Sequence, residues 1–130
     1  MTEEEIVSHL NGIYPSLKLV KCVDQFSFWD AENKDYLIEI KSRVKEYNSW
    51  IIEKRKMLSN LRQSIKTGKD FIYLTECKKS FYVWNINELI YKRYNFQWEL
   101  REMPITTAFD NNEMIIKEVG YLKKENAKQL

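Results

Sequence analysis

The stretch from Tyr36 to Arg43, YLIEIKSR, decides how this chain is read. Its apolar residues predict a β-strand. In a strand, side chains two residues apart share a face. Leu37, Glu39 and Lys41 therefore emerge together, while Ile38 and Ile40 face the opposite layer. A carboxylate and an ammonium leaving a buried strand side by side are costly unless something uses them. A metal ion and a phosphate would use both. Asp30, nine positions before Glu39, adds a second acid to the neighbourhood.

The flanking sequence supplies the frame. Thr2 followed by Glu5 forms a capping-box pattern, and Ile6, Val7 and Leu10 give an apolar stripe, so residues 3–12 are predicted as a helix ending near Gly12 and Pro15. Leu17 to Val23 is predicted as a strand, extended by Phe26, Phe28 and Trp29 up to Asp30. Ala31 to Asp35 then forms a turn, and the two strands pair as an antiparallel hairpin. Residues 48–67 are predicted as one long helix whose Ile51, Leu58, Leu61 and Ile65 face the sheet, with Gly68 as its C-terminal stop. Phe71–Thr75 and Phe81–Trp84 are further strands around a charged turn at Glu76–Ser80. Asn87–Lys92 reads as a helical turn. Asn95–Glu102 and Met114–Val119 read as late strands, with Pro104 and Asp110-Asn111-Asn112 as punctuation. This order predicts an α/β (α+β) domain with a mixed central β-sheet flanked by helices.

Composition narrows the chemistry. The 130 residues suit one domain, with a core in roughly residues 1–90 and residues 91–130 as an extension packed on it. The net charge of +2 does not by itself announce a nucleic-acid binder. The charges are uneven, however: Glu3, Glu4 and Glu5 make the start acidic, and Lys41, Arg43, Lys45, Lys54, Arg55 and Lys56 make the middle basic. A local basic surface attracts phosphate whatever the total; a solvated lysine-rich surface is the plainer account. Two cysteines, Cys22 and Cys77, and no long apolar run suggest a cytoplasmic protein with reduced thiols. His9 is the single histidine, expected on a surface helix. That excludes thiolate–imidazole metal sites and the usual Ser–His and Cys–His nucleophiles. Any catalysis must run on carboxylates and lysine.

Glu-x-Lys occurs three times. Glu32-Asn33-Lys34 and Glu76-Cys77-Lys78 are read as solvated pairs in turns. Glu39-Ile40-Lys41 differs because it ends an apolar strand, follows an acid and precedes a long helix. Asp30, then Glu39-Ile40-Lys41, then helix and strand, resembles the PD-(D/E)XK nuclease family, with its restriction-endonuclease-like core. The resemblance covers roughly residues 1–84. Within it, Tyr47, Trp50-Ile51-Ile52-Glu53, Lys56, Leu61, Gly68 and the strand FIYLT are similar to small phage-type members. Glu3 to Leu10, EEEIVSHL, resembles the first helix of archaeal Holliday-junction resolvases, where a helical glutamate joins the site; Glu3 is the matching acid, with Glu4 and Glu5 as fallbacks. No proline precedes Asp30.

The resemblance implies a Mg²⁺ (or Mn²⁺) site built from the Asp30 and Glu39 carboxylates and the Ile40 carbonyl, with Lys41 beside the attacking water. Mg²⁺ prefers oxygen ligands and retains waters, so few carboxylates suffice. Asp35 is the other candidate for the first acid, but it lies in the expected turn. Arg43 and Lys45 are expected to contact phosphate, as are Lys56 and Gln63, which lie with Glu53 and Asn60 on the polar face of the long helix. Trp29, Tyr47 and Trp50 are placed to stack on unpaired bases, and the remaining aromatics to pack. The implied activity is cleavage of DNA, branched or flapped by analogy with the resolvase-like helix, in phage or mobile-element recombination, repair or genome processing. The implied setting is a homodimer in the cytoplasm of a bacterial host. A small-energy salt bridge between Glu39 and Lys41, on a non-catalytic nucleic-acid-binding or inhibitor module of the same fold, is the competing reading.

Overall fold

The computed structural model describes residues 1–23, 28–105 and 113–130. Thr2 caps helix α1 (Glu3–Ile13): its hydroxyl accepts from the Glu5 N–H at 3.1 Å, and the Glu5 carboxylate accepts from the Thr2 N–H at 3.2 Å. Ile6, Val7 and Leu10 are buried, as the stripe predicts. The expected strand from Leu17 to Val23 is largely replaced. A 3₁₀ turn occupies Pro15–Leu17, and only Val20–Lys21 forms a strand, β1. The cause is local. Lys18 sits in the left-handed region (φ +49), and the Asn11 side chain takes both backbone groups of Leu19, accepting from its N–H at 2.8 Å and donating to its carbonyl at 2.9 Å. A residue so clamped has no backbone group left for a strand partner. The expected continuation through Phe26 lies outside the described residues, and Phe28 and Trp29 are not in a strand.

Asn33 closes a tighter turn than expected, accepting from the N–H groups of Asp35 and Tyr36 at 2.8 Å each. That leaves Ala31–Glu32 free to form β2, which pairs antiparallel with β3 (Tyr36–Arg43). The hairpin is thus β2–β3, with β1 outside β2.

Residues 48–67 are not one helix. Ser49–Glu53 is strand β4, and α2 runs only from Lys54 to Thr67. Trp50 and Ile52 alternate inward, as a half-buried strand requires. The buried face of α2 also differs from the expected one. Met57, Asn60 and Ser64 point in, whereas Leu58 is 41% and Ile65 82% exposed. The polar residues win because they are bonded: the Asn60 amide donates to the Phe28 carbonyl at 3.0 Å, and the Ser64 hydroxyl accepts from Asn87 at 2.7 Å. Gly68 ends the helix with φ +72, a conformation open to glycine.

β5 (Asp70–Cys77) pairs parallel with β3, so β4 and α2 form the crossover between them. β6 (Ser80–Asn85) returns antiparallel through Lys78 and Lys79, both at positive φ. Glu76 is therefore strand, not turn, and buried. Helix α3 (Ile86–Tyr91) follows, then β7 (Glu99–Pro104), β8 (Met114–Lys123) and β9 (Lys128–Gln129). The expected turn at 110–112 lies outside the described residues.

The large sheet has the order β1-β2-β3-β5-β6-β9 and the small one β4-β8-β7, giving a mixed α/β fold. One face of the large sheet, with Ile38, Ile40, Ile72, Leu74 and Phe81, packs on α1. The other, with Phe71, Tyr73, Tyr82 and Trp84, packs on Trp50 and Ile52 of β4, Met57 of α2, and Phe96 and Leu122. Residues after 90 are therefore part of both sheets rather than an appendage: β8 lies between β4 and β7, and β9 borders β6. Gly120 permits this closure. A Cβ there would lie 2.8 Å from the Trp98 ring.

Candidate functional site

β3 lies between β2 and β5, but β2 pairs only with Leu37 and Ile38, so Glu39-Ile40-Lys41 has β5 on one side and the Asp30 carboxylate on the other. The sidedness follows the sequence. Ile38 and Ile40 enter the α1 core, while Glu39 shares its face with Tyr73, its register partner on β5. Glu39 is only 6% exposed. Burial pushes its pKa up to about 7, Lys41 opposes that and Asp30 reinforces it. The Lys41 Nζ lies 3.9 Å from the Glu39 carboxylate.

Asp30 is fixed at the end of β2 from two directions. Its N–H donates to the Ile38 carbonyl at 2.8 Å, and its carboxylate accepts from the Ile40 N–H at 2.7 Å. A residue's N–H and C=O point to the same side of a strand, so the Ile40 carbonyl opens on the Asp30 side. Burial raises the Asp30 pKa, against the Ile40 hydrogen bond. Asp30 also feels Glu3, which forms an ion pair with Lys21 at 2.9 Å. Asp30 thus links two acids, Glu3 from α1 and Glu39 from β3. Glu4 is exposed and Glu5 is taken up by the helix cap. Asp35 remains in the exposed turn. Lys21, unremarked in the sequence, lies between Glu3 and Asp30; its pKa is raised, first by Glu3 and also by Asp30.

Glu39, Lys41 and Arg43 line one wall of a cleft of about 540 Å³. β4 (Ser49, Ile51, Glu53), Lys56 at the start of α2, and Arg101 and Lys117 of the β7–β8 ribbon complete it. Five cations (Lys41, Arg43, Lys56, Arg101, Lys117) face two acids (Glu39, Glu53) there. Lys117 and Lys56 hold the Glu53 carboxylate at 2.8 and 3.1 Å. Burial raises the Glu53 pKa, but Lys117 and Lys56 outweigh it and the net displacement is downward. The Tyr73 hydroxyl, buried beside Glu39, donates to the Ile51 carbonyl at 3.0 Å and is pushed well above its usual pKa, chiefly by burial.

Of the expected phosphate contacts, Arg43 and Lys56 line the cleft; Lys45 and Gln63 do not. Lys45 lies over the Tyr47 ring instead. Asn60, expected on the polar face with Lys56 and Gln63, is fully buried. Of the stacking candidates, Tyr47 is exposed at the cleft, but Trp50 is core, packed against Tyr82 and Trp84. The reading of Glu76-Cys77-Lys78 as a solvated pair also fails: Glu76 is buried and accepts from the Ser42 hydroxyl at 2.9 Å. His9 is exposed on α1, stacked on Phe81. Glu53, Arg101 and Lys117 escaped the sequence reading as cleft residues. The sequence placed Glu53 only on the polar face of a long helix, and nothing local marks the other two.

Among the described residues, no three His, Cys, Asp or Glu side chains form a ready-made cation cluster. The donors present nonetheless suit a hard cation. Asp30 and Glu39 are two inward carboxylates, both made costly to ionise chiefly by burial, with Asp30 adding to the cost at Glu39, and one or two carboxylates with water suffice for Mg²⁺. Among the described residues, no helix is long and apolar enough to cross a membrane, and both cysteines are free. Searches of protein-family models, curated proteins and solved structures find no match to this chain.

Proposed function

We propose that this protein is a Mg²⁺- or Mn²⁺-dependent nuclease of PD-(D/E)XK type that hydrolyses DNA phosphodiester bonds. The observation that carries the reading is the convergence at β3. The Asp30 carboxylate is bonded to the N–H of the residue between Glu39 and Lys41, and the Lys41 ammonium lies 3.9 Å from the buried Glu39 carboxylate. The order of helix, three strands, helix and a strand parallel to β3 supports the same resemblance once β4 is set aside as part of the second sheet.

The Asp30 and Glu39 carboxylates and the Ile40 carbonyl would hold the cation, which when bound would acidify a water and neutralise charge on the scissile phosphate. The rest belongs to the chain. Asp30 is locked against Ile40, so its oxygen needs no reorganisation. Glu39 is costly to ionise where it is buried, so a bound cation would hold it as the carboxylate. Lys41 supplies a fixed positive charge for the developing oxyanion. Arg43 and Lys56 attract the phosphate backbone into the cleft. Glu3, through Asp30, adds negative charge on the far side, tempered by Lys21. Two copies acting together would cut both strands of a branched or flapped DNA in recombination or repair.

A second reading, a non-catalytic nucleic-acid-binding or inhibitor module, is favoured by the cleft itself, where five Lys and Arg side chains face two acids and would hold an anion without a metal. The experiment is cleavage of end-labelled linear, flapped and four-way DNA by wild type and Lys41→Ala, with Mg²⁺, Mn²⁺ or EDTA. Metal-dependent cutting that disappears in Lys41→Ala supports the nuclease. No cutting by wild type supports the second reading, and equal cutting by both proteins refutes the assigned site.

A further inference from the structure

Arg101 and Lys117 are directly opposed across the β7–β8 ladder. Like charges so placed repel, and a strand pair carries them at a cost unless an anion sits between or beside them. Glu53 serves Lys117, and Lys56 as well, through ion pairs at 2.8 and 3.1 Å. It does not serve Arg101. Among the described residues the Arg101 guanidinium meets the Tyr121 hydroxyl, at 3.4 Å, which itself donates to the Glu99 carboxylate, and Arg101 forms no direct ion pair. Arg43, on the facing wall, also has no ion pair among the described residues; its guanidinium donates to the neighbouring Ser42 carbonyl at 3.1 Å. Both line the cleft that holds Glu39 and Lys41. Both guanidiniums are exposed and, among the described residues, neither has a direct carboxylate partner, so their donors are open to an anion entering the cleft.

We propose that Arg43 and Arg101 clamp, from opposite walls, a phosphate of a single nucleic-acid strand next to the one at Lys41. This rests on the nuclease reading only for which phosphate is cut. The position follows from strand geometry. Arg43 is two residues beyond Lys41 on the same face, about 7 Å along β3, which is comparable to the step between successive phosphates of one strand. The chemistry follows from the guanidinium, whose planar fork of donors matches phosphate oxygens in pairs. The β7–β8 ribbon is thereby a substrate-holding wall and not merely cover for the second core. Its opposite face carries Leu100 and Ile116 to solvent and takes no part.

The test is equilibrium binding of a 5′-fluorescein single-stranded oligonucleotide in EDTA, followed by anisotropy across a salt series. Wild type, Arg101→Ala, Arg101→Lys, Arg43→Ala and the control Arg93→Ala are compared. Arg93 is exposed at the end of α3, away from the cleft. The expected result is about tenfold weaker binding for Arg101→Ala and for Arg43→Ala. Each should flatten the log K against log salt slope by about 0.7. Arg101→Lys should keep the slope but lose part of the affinity, and Arg93→Ala should match wild type. The clamp is overturned if Arg101→Ala behaves like Arg93→Ala, if wild type does not bind the strand, or if oligo-glutamate displaces it at equal charge concentration. Cleavage is read separately. If wild type binds with the expected slopes yet cuts nothing in Mg²⁺ or Mn²⁺, the nuclease reading fails and the clamp stands.

Discussion

Replacing Glu39 by Gln should make the protein more stable, and only above mildly acidic pH. The side chain is 6% exposed, and burial moves its carboxyl from an ordinary 4.5 to about 7. At about 1.4 kcal/mol for each tenfold change in proton affinity, that corresponds to about 3 kcal/mol. The sign follows from proton counting. Between pH 4.5 and 7 the folded state binds a proton that the unfolded state has released, so stability falls as pH rises through that window. Below pH 4.5 both states are protonated and the cost is absent. Glutamine keeps the shape and never ionises, so Glu39→Gln should gain roughly 3 kcal/mol over wild type at pH 8 and almost nothing at pH 4. The attraction to Lys41, at 3.9 Å, is already contained in that shift. Urea titrations at both pH values, in EDTA, measure the difference directly. Added Mg²⁺ should narrow the gap at pH 8 by stabilising wild type alone. A variant that is no more stable than wild type at pH 8, or equally stabilised at pH 4, would refute the argument that this carboxylate is ionised at a cost.

Glu53→Gln should tighten DNA binding several-fold in EDTA, because Lys117 and Lys56 lose the carboxylate that neutralises them; an anisotropy titration with unchanged affinity would count against the cleft as the binding surface. Gly120→Ala should destabilise by about 1–3 kcal/mol, since the new methyl meets the Trp98 ring at 2.8 Å and the ring is held between Phe96 and the Lys54 ammonium; thermal melting would show it.

How much of this was readable beforehand depends on how locally each feature is determined. β3 was legible residue by residue because it lies between two sheet faces with its alternation intact, and the face shared by Glu39 and Lys41 followed from that. Helix α1 was legible because its cap lies within four residues. β4 was not. SWIIE runs into KRKMLSNL without a glycine or proline to mark the change, and the partner that makes it a strand is β8, about seventy residues away. The inward face of α2 was misjudged because Asn60 and Ser64 are buried by bonds to Phe28 and Asn87, which no periodicity reveals. The strand at Leu17 was undone by one side-chain amide, that of Asn11. At the candidate site, the closeness of Asp30, Glu39 and Lys41 was legible because they lie in one hairpin and its entry. Arg101 and Lys117 were missed because their shared face exists only once β7 and β8 are in register and folded over the cleft.

The most direct measurement is the fraction of bound four-way or flapped DNA that is cut by wild type and by Asp30→Asn in the same Mg²⁺ buffer. The asparagine oxygen still accepts from the Ile40 N–H, so the fold and the cleft are retained while one carboxylate is lost. Wild type should convert its bound DNA to product, and Asp30→Asn should bind at least as tightly and cut none. Cutting by Asp30→Asn at the wild-type rate, or tight binding without cutting by wild type in either Mg²⁺ or Mn²⁺, would contradict the proposed nuclease site.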